Sequence, residues 1–94
     1  MREVLRAADA TTPSVLETGA ADACFRAVVA ASAPVRAWFE DEAHVVRGAA
    51  LSGSSGLVPT RGPACARKGE PLRLVVEPPN GAAITARAVV WQAP

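Results

Sequence analysis

The stretch VRAWFED, Val35 to Asp41, alternates residue by residue between an apolar and a polar side. Val35, Ala37 and Phe39 fall on one face; Arg36, Trp38 and Glu40 fall on the other. A period of two marks a half-buried β-strand, because successive side chains leave a strand on opposite faces. LRLVVE, Leu72 to Glu77, repeats the pattern with Leu72, Leu74 and Val76 on one side. ITARAVVWQ, Ile84 to Gln92, does so with Ile84, Ala86, Ala88 and Val90. ACFRAVVAAS, Ala23 to Ser32, sets Phe25, Ala27, Val29 and Ala31 against Cys24, Arg26 and Val28. The expected core is therefore Phe25, Val29, Val35, Ala37, Phe39, Leu72, Leu74, Val76, Ile84 and Val90, with Trp38 facing away from it.

Between these runs stand turn residues. Ala33-Pro34 interrupts two strands, and Glu42-Ala43-His44 forms a turn. Val45 to Leu51 is a weaker strand broken by Gly48, and SGSSG, Ser52 to Gly56, reads as a flexible loop. Pro78-Pro79-Asn80-Gly81 ends in Asn-Gly, which suits a tight hairpin, so the last two strands are expected to pair with each other. Ser14 to Glu17 reads as a short edge strand, and Ala64-Cys65-Ala66 as a short piece after a turn. Strands at such spacing argue a sandwich or barrel. The expectation is an all-β, jelly-roll-like antiparallel β-sandwich of about seven or eight strands over residues 14–94. Only MREVLRAADA, residues 1–10, looks helical, with Val4, Leu5 and Ala8 on one side. Residues 1–13 are expected to be a short helix or a poorly ordered lead, with an extended strand in a longer parent chain as the other reading of residues 1–10.

At 94 residues the chain is one domain. Such a domain buries roughly 60–65% of its unfolded surface, and much of the apolar content is small Ala, so any covalent staple gains weight. Net charge is +1 and the basic residues form no stripe, which disfavours nucleic-acid binding. No apolar run is long enough to span a membrane. The first residues do not form a signal peptide.

The residues that could carry chemistry are few. Cys24 and Cys65 are not a CxxC pair, and with His44 as the only histidine they do not make a zinc site. They read as a disulfide closing a loop of about 40 residues, worth roughly 4 kcal/mol on a chain-entropy account. Two buried free thiols or a reactive thiol are the alternatives. His44 beside Glu40-Asp41-Glu42 reads as an exposed turn residue rather than a pH sensor, and the acidic run as a solvated strand end rather than a calcium site. Ser52, Ser54 and Ser55 lack a nucleophile elbow, and SGSSG lacks the ending of a phosphate loop. No catalytic, cofactor or metal residue is expected. Trp38 and Trp91 are the candidate interaction surface, since exposed tryptophans stack on sugars or anchor partners, with plain packing as the other reading.

Taken together, LETG…ACFRAVVAAS, VRAWFEDEAHVV, GPACARKGEPLRLVVE and ARAVVW resemble the layout of bacterial pre-peptidase C-terminal (PPC-type) domains, in a cysteine-containing variety from secreted and lipoprotein-like chains. The resemblance covers about residues 15 to 92. In one place the chain departs from it: His44 stands where a D-x-x-G turn would carry glycine. The resemblance implies a non-catalytic ancillary module of a secreted or cell-envelope protein, in contact with another domain, a protein or a polysaccharide. Together with the disulfide, it points to an extracytoplasmic location. The rival expectation is a small cytoplasmic or phage-encoded interaction protein with free thiols.

Overall fold

Seven strands carry most of the chain in a computed structural model that describes residues 2–81 and 83–93. They are β1 (Arg2–Ala7), β2 (Ser14–Glu17), β3 (Ala23–Glu40), β4 (Val46–Val58), β5 (Ala64–Ala66), β6 (Pro71–Glu77) and β7 (Ala86–Ala93). All pairings are antiparallel, and the order along the sheet is β1-β7-β3-β6-β2, with β4 and β5 on the other side of β3. The all-β, sandwich-like expectation holds, in the form of one curled sheet that makes a half-barrel.

The organising element is β3. It runs straight through Ala33-Pro34, where the sequence suggested a break, and spans 18 residues. Its first half pairs with β7 through Cys24 to Ala31, and its second half with β6 through Arg36 to Glu40. Between the halves its register with β4 slips from Ala30 to Val35. Such a slip bends a strand pair and raises its twist. The long β3–β4 hairpin thereby folds the sheet into two wings, one holding β7 and β1, the other β6 and β2.

Alternation then fills the space between the wings. Phe25, Ala27, Val29, Val35, Ala37 and Phe39 all point inward from β3 and are buried. Leu72, Leu74 and Val76 of β6 meet Ala86, Ala88 and Val90 of β7 in the same core. Phe39 is fully buried while Trp38 beside it is half-buried, as the alternating pattern requires. Ile84 sits only at the margin, because it precedes β7 rather than lying in it.

Three expectations fail for physical reasons. Residues 2–7 are not a helix: β1 pairs with β7 from Arg2↔Gln92 to Ala7↔Ala88. The free edge of β7 recruits the segment, and tertiary pairing overrides a weak helix propensity. Ala8, which a helix would bury with Val4 and Leu5, is exposed. Likewise SGSSG is not a loop but the middle of β4, with Ser52 opposite Arg36 and Gly56 opposite Val29. Finally, β6 and β7 do not form a hairpin. Each pairs with a different half of β3, and a short 3₁₀ turn at Pro79–Gly81 follows β6 rather than a tight hairpin loop. Asn80 and Gly81 do take left-handed backbone, at φ +50° and +70°, but they close no hairpin between β6 and β7.

The two sides of the half-barrel differ. On the β4 side, the chain after β4 folds back over its start. The Thr60 N–H donates to the Ala49 carbonyl at 3.2 Å, and Arg26 donates to the Pro59 carbonyl at 2.9 Å. On the opposite side, β1 and β2 end the sheet, and among the described residues no ladder joins them.

Candidate functional site

The open side holds a cleft of about 550 Å³ between β1 and β2. Val4 and Leu5 form one wall, Val15 and Leu16 the other, and Phe25 the floor, with Arg2, Glu17 and Gln92 at the rim. A second hollow of about 360 Å³ continues it past Glu17 along residues 18–23.

Sequence explains both walls. In β1 the register with β7 slips between Glu3 and Leu5, so Val4 is an extra residue without an opposite partner. A bulge of this kind breaks strict alternation and re-aims side chains. Consecutive Val4 and Leu5 both line the cleft and both are half-buried, which a regular strand would not allow. In β2 only Leu16 is buried, while Val15 is 54% exposed. Arg2 is drawn to Gln92 of β7, donating to its Oε1 at 2.9 Å.

At the end where β3 passes into β4, a polar network holds the sheet. The Asp41 carboxylate is its centre. Oδ1 accepts from the backbone N–H groups of Ala43 and Val45 at 2.9 and 3.0 Å, and Oδ2 accepts from Nε and a terminal nitrogen of Arg47 at 3.1 and 2.8 Å. The Val45 N–H, ahead of the other contacts, holds the Asp41 carboxyl below its ordinary range. Arg47 also donates to Glu70 at 2.9 Å and to the Cys65 carbonyl at 3.2 Å. Asp41 first and then Glu70 raise its pKa, so it stays charged throughout. Glu40, on the outward face, is nonetheless buried under its neighbours. Burial pushes its carboxyl up, but hydrogen bonds from His44 and Trp38, both at 3.2 Å, and the charges of His44 and Arg73 outweigh it, and the group titrates low.

Both lowered carboxylates give stability that is present above the unfolded range, near pH 4, and lost as pH falls through their folded values. The urea midpoint should therefore decline steadily below about pH 4. Asp41→Asn should flatten that decline, because the variant has one group fewer to protonate. An equal slope in wild type and variant would remove Asp41 from the acid response.

The sequence-derived candidates take separate places. Cys24 and Cys65 are directly opposed on β3 and β5 and are joined, with Cα atoms 3.9 Å apart. Trp38 and Trp91 do not form one surface. Trp38 is on the β6 wing, donating to Glu40 and lying under the Arg36 guanidinium at 5.7 Å. Trp91 is on the β7 wing, opposite Arg26 and Glu3. His44 takes left-handed backbone, φ +62°, the conformation a glycine would fill, and its exposed ring rests on Glu40. Ser52, Ser54 and Ser55 ride on β4. Among the described residues no cluster of His, Cys, Asp and Glu could hold a metal ion, and no helix is long and apolar enough to cross a membrane.

Sequence reasoning missed the cleft, because it treated residues 1–13 as a lead. The signal was present: Val4-Leu5 and Val15-Leu16 are paired apolar residues, each bordered by charge or Ser. The geometry is that of an all-β half-barrel with one open side. No family model, curated protein or solved structure matches the chain.

Proposed function

We propose that the chain is an ancillary module of a secreted or cell-envelope protein, of the pre-peptidase C-terminal kind, which acts by holding a protein or polymer partner and not by catalysis. The open cleft between β1 and β2 carries this reading. It is apolar at its base and charged at its rim, the usual make-up of a binding site. The Cys24–Cys65 bond supports the compartment, because disulfides persist in oxidising surroundings.

Two measurements test it. Protein taken from its own cells without reductant and alkylated under denaturing conditions should carry no free thiol. Two labelled thiols would place it in a reducing compartment and favour a cytoplasmic interaction protein. The immobilised chain should also retain either a purified cell-wall polysaccharide or peptides from a random pool. Retention of neither would end the binding-module reading.

A further inference from the structure

We propose that the cleft between β1 and β2 captures an extended polypeptide strand with apolar residues at alternate positions and a basic residue near Glu17. This rests on the binding-module reading and names the partner for it.

The walls decide the chemistry. Among the described residues β1 pairs only with β7 and β2 only with β6, so each presents its other edge to the cleft. On an edge strand, alternate residues aim N–H and C=O away from the neighbour, here into the opening. A small apolar molecule seated on Val4, Leu5 and Leu16 would strip water from these groups and leave them without partners. An extended chain satisfies them on both flanks while placing every second side chain toward Phe25 and Leu16, which is the mode of strand addition. The same occupant would complete the sheet where β2 and β1 now end it.

The edges are also guarded against indiscriminate pairing. β2 has only four residues, and β1 is bulged at Val4 and carries Arg2, Glu3 and Arg6. Short length, bulges and charge are the usual protections of a free edge. A partner must therefore match a short, irregular register. Charge narrows it further. Arg2 is occupied by Gln92, Glu3 by Arg6, and Asp22 accepts from the Lys68 backbone N–H. Glu17 is exposed and has no ion-pair partner among the described residues. A Lys or Arg on the incoming strand would meet it.

The test uses the full, oxidised chain. Random dodecapeptides displayed on phage are selected against it, and the most enriched sequence is made as a capped peptide for affinity measurement. The expected peptide alternates apolar and polar residues and includes Lys or Arg. N-methylating every second backbone amide should weaken it about tenfold or more, since one row of ladder bonds is lost. Glu17→Lys should weaken it similarly, and Val4→Lys should abolish binding. Amide exchange should slow within residues 2–7 and 14–17 on binding. Unfolding curves check that Val4→Lys folds; if it does not, Glu17→Lys, at an exposed position, carries the test. No enrichment, undiminished binding of the N-methylated peptide, or protection elsewhere overturns the proposal. Retention of a polysaccharide without peptide enrichment overturns strand capture and leaves the module reading standing. Retention of neither ends both.

Discussion

Cys24→Ser is expected to lower the stability of the oxidised protein by about 2–5 kcal/mol. The bond joins residues 41 apart in sequence, and the loop-closure account puts its contribution at roughly 4 kcal/mol. Packing adds a second reason. β5 has three residues, from Ala64 to Ala66, and little besides the bond and its short ladder holds it to β3. The strap around it supplies the Cys65 carbonyl and Glu70 to Arg47, which in turn steadies Asp41. Loss of the bond should therefore loosen the polar end of the sheet as well as enlarge the unfolded ensemble. Guanidinium unfolding at pH 7 provides the measurement, with and without dithiothreitol. Wild type should fall to the level of the variant when reduced, and the variant should not respond. A variant as stable as the oxidised wild type would show that β5 is held by other means.

Gly48→Ala should cost about 2–4 kcal/mol, combining left-handed strain with overpacking. Gly48 has φ +86°, and a Cβ there would stand 2.6 Å from Cγ and 2.8 Å from Cβ of Pro59. That proline cannot easily give way, since its ring is rigid and its carbonyl is held by Arg26. Two other glycines of β4 serve as internal controls. Gly53, at φ +145°, has nothing within 4 Å of an added Cβ, so only backbone strain applies. Gly56 would meet Cδ1 of Leu51 at 2.8 Å, the far end of a side chain that can rotate. The expected order of destabilisation by Ala is Gly48 first, then Gly56, then Gly53. Urea midpoints of the three variants decide it. A Gly48 variant no worse than the Gly53 one would mean that the fold-back of Pro59 is not a closing contact.

The alternation of β3 and β6 was legible because their inner faces are buried by large side chains: Phe25, Phe39, Leu72 and Leu74 leave no ambiguity of period. The cysteine pairing was legible for a different reason, since a thin core and two isolated cysteines leave few other roles. What escaped was decided by partners distant in sequence. Arg2–Ala7 has helix-favouring residues, and only the edge of β7, more than 80 residues later, makes it a strand. Ser52–Gly56 has the composition of a linker, yet β3 runs alongside and pairs it residue by residue. Asn80-Gly81 carries a turn signal that was right locally and wrong about what it joins. Because the cleft depends on β1, it was lost with that strand. The separation of Trp38 from Trp91 followed from the bend between Ala30 and Val35, which Ala33-Pro34 marks in the sequence as a break rather than as a bend within one strand.

The pairing of β1 with β7 also orders events during synthesis. Residues 2–7 are made before every other strand of the sheet, yet their partners at 88–92 are among the last described residues to be made. Until then the first segment has no ladder to join, and closing so long a loop is slow. The β3–β4 hairpin, whose contacts are nearer in sequence, can form well before it, and Cys65 can reach Cys24 while β6 and β7 are still to come. The nascent protein thus holds a latched hairpin with both wings unfinished. Docking of β1 completes the β7 wing, and it is the same step that builds one wall of the cleft.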